Sequence, residues 1–138
     1  MFEISKADPA LFIKREMARL QEQRYNGLKL VSEIRISLRN GTPGMLVLLL
    51  IRAEFNEYAG DYISRDGQQI LNGLPPDHEV RLTVEKQHQE LLKMIHTTIS
   101  AEQPPCVLAE KFADLLEENI RYELRVLFPL INKSNGLN

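Results

Sequence analysis

Apolar residues recur along this chain at helical intervals of three and four positions rather than in the alternation of a strand. Three clusters of turn-forming residues interrupt them: NGTPG at 40–44, NGLPPD at 72–77 and EQPP at 102–105. They leave four segments. The first opens on Asp8-Pro9, an N-cap followed by proline at the first helical position, and closes on Asn40-Gly41, a C-terminal stop. It is either one long helix or a short one followed by a longer one, with Met17, Leu20, Leu28, Val31 and Leu38 on its stripe. The others run from Pro43 to Leu71, from Pro76 to Ser100 and from Pro105 to Asn132. Helices of about 25 to 30 residues joined by short loops run antiparallel to their neighbours, so the pattern predicts an all-α, up-down-up-down four-helix bundle. Residues 1–138 form a single domain in this reading.

The stripes carry polar residues where a core wants apolar ones. Leu20 and Leu28 flank Arg24; Phe55 and Tyr58 lead to Tyr62, Asp66 and Ile70. Val84 leads to His88 and then Leu91, and Leu115 and Leu116 lead to Asn119, Glu123 and Leu127. A buried ionisable group is costly unless it is paired or metal-bound, and six such positions on four stripes call for a shared cause. An internal repeat sharpens the point. Asn119, Glu123 and Phe128 are spaced four and five apart, as are Tyr62, Asp66 and Leu71, while Leu20, Arg24, Leu28 match Val84, His88, Leu92. Residues four apart project from one helix face, so two such pairs facing each other have the geometry to hold two metal ions.

With VEKQHQELLKMI at 84–95 and FADLLEENIRYELRVLFPLI at 112–131, the chain resembles the hemerythrin-like (HHE cation-binding) family. The N-terminal half, LQEQRYNGLKLV and YAGDYISRDGQQIL, resembles it mainly in spacing. The family motif in each helix pair is one histidine followed by His-x-x-x-Glu. The resemblance implies a hemerythrin-like bundle with a non-haem di-iron site, used for oxygen binding, sensing, storage or iron handling. Its ligand positions fall on Arg24, Tyr62 and Asp66, and on His88, Asn119 and Glu123. Only His88 and Glu123 keep the family's residue type. Asp66 is a shorter carboxylate that can still ligate, whereas Arg24, Tyr62 and Asn119 stand in place of histidines.

Those replacements set the expectations. Arginine stays protonated and offers no lone pair, and asparagine is a weak oxygen donor. A degenerate domain without a di-iron site or any cofactor, serving as a binding, regulatory or scaffold module, is the first. In it Arg24 takes the place of the metal and neutralises Glu123, Asp66 or both, or else reaches solvent along its aliphatic stem. The alternative is an altered, mononuclear non-haem iron site on His88, Glu123 and Asp66. A third reading puts the polar stripe at a homodimer interface. None of the three specifies a substrate, so no enzyme activity is expected.

Charge and composition narrow the partners. The net charge is −2 without any basic run, which argues against nucleic acid. The most apolar stretch, Met45 to Ile51, is far short of the roughly 20 residues of a spanning helix. No secretory pattern opens the sequence and Cys106 is its single cysteine, so a cytoplasmic location without membrane attachment is expected. Cys106 itself reads as a plain buried thiol, and His78 and His96 as peripheral.

Overall fold

A computed structural model describes residues 9–59, 63, 66–96 and 103–134. Among these the chain is all-helical and no β-strand occurs. The helices are α1 (Pro9–Arg39), α2 (Gly44–Ala59), the short α3 (Asp66–Leu71), α4 (Glu79–His96), α5 (Pro105–Tyr122) and α6 (Phe128–Ser134). A π turn, Glu123–Leu127, joins α5 to α6. The first segment is thus one helix of 31 residues; its expected cap, Asp8, lies outside the described residues. The second segment is described as α2 and α3.

The helix ends follow from local chemistry. At the end of α1, Thr42 N–H reaches Ser37 O at 2.9 Å and Gly41 N–H reaches Leu38 O at 3.1 Å. This is a Schellman stop, and it needs the positive φ of 85° that Gly41 supplies. At the start of α4 the ring of His78 acts as the cap, its Nδ1 accepting the Val80 N–H at 3.1 Å. Pro105 opens α5 at the position where its missing N–H costs nothing.

α5 is the centre of the packing, in contact with α1, α2 and α4. Its buried face runs Ala109, Phe112, Leu116 and Asn119 and continues to Glu123 at the start of the π turn, at alternating intervals of three and four. On α1 the buried positions are Leu20, Arg24, Gly27, Leu30, Val31 and Ile34, while Met17, Leu28 and Leu38 are only partly buried. The true stripe is therefore turned slightly from the expected one, with Ile34 rather than Leu38 at its far end. Two apolar layers result. One is built around Ile34, Phe55, Leu91 and Phe112, whose ring meets Phe55 edge-on at 5.2 Å. The other is built around Leu20, Ile70, Val84 and Phe128.

Outside the core, Arg35 of α1 ties down α5. Its Nη2 donates to Asp114 Oδ1 at 2.7 Å and lies 2.9 Å from Glu117 Oε1. Hydrogen bonds from Arg35 and then Arg121 hold the Glu117 carboxyl below its ordinary pKa. On a solvated face such links add little stability.

The start of α2 lies against the start of α5 with no room for a side chain. A Cβ built on Gly44 would collide with the Cys106 backbone nitrogen and lie 2.9 Å from both Cys106 Cα and Pro105 C. Backbone atoms cannot swing aside as a flexible side chain can. Gly44→Ala should therefore open this helix contact and cost about 1–3 kcal/mol, despite alanine's better helix propensity. An unchanged urea midpoint would show that the contact is not needed. The same contact explains why Cys106 is exposed and not buried as the sequence suggested: its backbone, rather than its thiol, faces α2.

Candidate functional site

Between the two apolar layers lies a polar one. Following each helix, Arg24 falls between Leu20 and Val31, His88 between Val84 and Leu91, and Asn119 with Glu123 between Leu116 and Leu127. All four are buried, Arg24, Asn119 and Glu123 with no exposed surface at all. Arg24 comes from α1, His88 from α4 and Asn119 from α5, and Glu123 follows Asn119 at i, i+4 as the first residue of the π turn, so three helices converge on one carboxylate.

Glu123 is at the centre. Its Oε1 accepts two hydrogen bonds from Arg24, from Nε at 3.0 Å and Nη2 at 2.8 Å. Its Oε2 accepts the Asn119 amide at 2.8 Å and meets His88 Nε2 at 2.7 Å. An ionised carboxylate only accepts, so the proton between His88 and Glu123 sits on His88 Nε2. The carboxylate thus receives four N–H groups, two on each oxygen. Complete burial pushes the Glu123 pKa up, but the Arg24 charge beside it and the hydrogen bond from His88 outweigh burial and hold it at about 2.

The surroundings complete this set. Arg24 Nη1 donates to Gln23 Oε1, its neighbour in sequence. Asn119 Nδ2 also donates to Gln87 Oε1 at 2.9 Å, next to His88 on α4. The Arg24 guanidinium lies over the Phe128 ring, 5.2 Å from its centroid, in cation–π geometry. Among the described residues no buried side-chain nitrogen or oxygen lacks a hydrogen-bond partner.

The π turn brings Phe128 into place. The Phe128 N–H bonds to Glu123 O, five residues back, in place of the usual four. On a regular α-helix Phe128 would point about 140° away from Glu123; the wider turn returns it to the same stripe. Pro129 supplies a cause. It has no N–H to give to the carbonyl four residues earlier and its ring crowds that carbonyl, which a widened turn relieves.

Of the six positions singled out in the sequence, Arg24, His88, Asn119 and Glu123 meet at this one place. Tyr62 and the side chain of Asp66 lie outside the described residues. Among the described residues no three His, Cys, Asp or Glu side chains gather closely enough to share a metal ion. Gln23, Gln87 and the cation–π role of Phe128 were not anticipated; their signal in the sequence is only adjacency to Arg24 and His88, and the four-and-five spacing that ends on Phe128. His96 is exposed and His78 partly buried. No helix among the described residues is long and apolar enough to cross a membrane. No protein-family model, curated protein or solved structure matches the chain.

Proposed function

We propose that the chain is a degenerate hemerythrin-like four-helix bundle in which an internal ion pair has replaced a di-iron centre, and that it serves as a binding, regulatory or scaffold module. The observation that carries this reading is the saturated Glu123 carboxylate. A metal ligand needs a lone pair directed at the ion, and both Glu123 oxygens here are directed at Arg24, His88 and Asn119. The donor chemistry around it does not fit a di-iron centre. Arg24 has no lone pair to offer and Asn119 presents its amide nitrogen to the carboxylate, which leaves one imidazole and one carboxylate among the described residues. Arg24 supplies the positive charge that an ion would otherwise bring, at the position where the family resemblance puts a histidine.

Restoring histidines tests the reading. Aerobic iron loading should give the natural chain no absorption band of oxo-bridged iron. The variant Arg24→His, Tyr62→His, Asn119→His, checked for its helical circular dichroism, should gain one. A folded variant that takes up no iron would remove the family resemblance as the origin of the stripe. An oxo-bridge band in the natural chain would remove the claim of degeneracy.

A further inference from the structure

About three turns along α5 from Glu123, a cavity of about 140 Å³ opens between α2, α4 and α5. Met45, Leu48, Leu49 and Arg52 form its α2 wall, at positions i, i+3, i+4 and i+7 of one ridge; Met94 of α4 and Phe112 of α5 stand opposite. The lining is apolar apart from Arg52. The cavity is open to solvent along its α2 wall, where Met45, Leu49 and Arg52 are exposed. At its base Ile51, Ile95 and Phe112 are buried and offer water no polar partner. Its volume is about that of a cavity that takes up benzene. The two methionines have flexible, polarisable side chains that adapt to an irregular occupant.

Arg52 sets the character of that occupant. It is exposed, and it has no hydrogen-bond or ion-pair partner among the described residues. Among the described residues no second cation lines the cavity, so the site matches a single negative charge rather than a phosphate dianion. A guanidinium fork fits a carboxylate in the two-point geometry that gives the strongest charge-assisted hydrogen bonds. We propose that this cavity binds a small amphiphilic carboxylate, its apolar body of benzene-like size among Met45, Leu49, Met94 and Phe112 and its carboxylate on Arg52. The site is separate from the Glu123 cluster and does not depend on how that cluster arose.

The probe is 3-phenylpropionate, with 3-phenylpropan-1-ol as its uncharged counterpart, titrated into the full chain while the methyl resonances of Met45 and Met94 are followed by NMR. Both ligands should shift these methyls saturably, the acid binding about tenfold tighter, as expected for one charge-assisted hydrogen-bonding contact. Arg52→Met, a change at an exposed position, should erase that difference and leave binding of the alcohol intact. Leu108 of α5 also lines the cavity, and Leu108→Trp, which fills it, should abolish both. The proposal is overturned if neither ligand saturates, if acid and alcohol bind equally to the natural chain, or if the preference for the acid survives Arg52→Met.

Discussion

Replacing Arg24 with methionine should cost about 3–5 kcal/mol of folding stability, the cost of leaving a buried charge without its partner. The reason is specific to this core. Glu123 has no exposed surface and receives two of its four hydrogen bonds from the guanidinium. Methionine fills much of the same volume and keeps contact with Phe128, so the loss measures charge and hydrogen bonding more than packing. Glu123→Gln should be costly for the mirror reason, since it strands the cation. The double variant should be less damaged than the sum of the two by about 2–3 kcal/mol, because neither unpaired charge remains. Urea denaturation of the four proteins gives this coupling directly. Additive losses would mean that Arg24 and Glu123 do not depend on each other.

Acid should dissolve the same pair. Glu123 has its pKa lowered from 4.5 to about 2 in the folded chain, so above about pH 5 both the folded and the unfolded carboxyl are ionised and the full stabilisation is present. As the pH falls through the unfolded value the unfolded chain binds the proton and the folded chain does not, and stability drops. By about pH 2 the contribution is gone. A separation of this size corresponds to about 3 kcal/mol. Other carboxyls titrate in the same range, so the quantity to follow is the difference between the natural chain and Glu123→Gln across the acid limb. A constant difference between pH 5 and pH 2 would contradict the assignment.

The four helical segments were legible in the sequence because each is marked twice, by apolar periodicity and by punctuation, whereas the separate α3 and α6 were not. Asn40-Gly41 and Pro105 mark helix boundaries in the structure for the reasons that make such residues readable. Four of the six polar interruptions proved to be neighbours in space, since a polar residue on a core stripe must find partners there. Other features depend on distant residues and left little local trace. Gln23 and Gln87 look like surface glutamines until three helices come together. The π turn has Pro129 as a cause, but many prolines end helices without widening them. Exposure of Cys106 depends on Gly44, some sixty positions earlier, lying against its backbone. The cavity beside Arg52 belongs to the packing of three helices and no single stripe announces it.

The central claim is that Arg24 stands where a metal once stood, and metal content tests it most directly. The intact chain, expressed in medium replete with iron and zinc and purified without chelators, should carry well under one metal ion per chain by elemental analysis. Two ions per chain would contradict the account, because Glu123 would then have to release Arg24 to bind them.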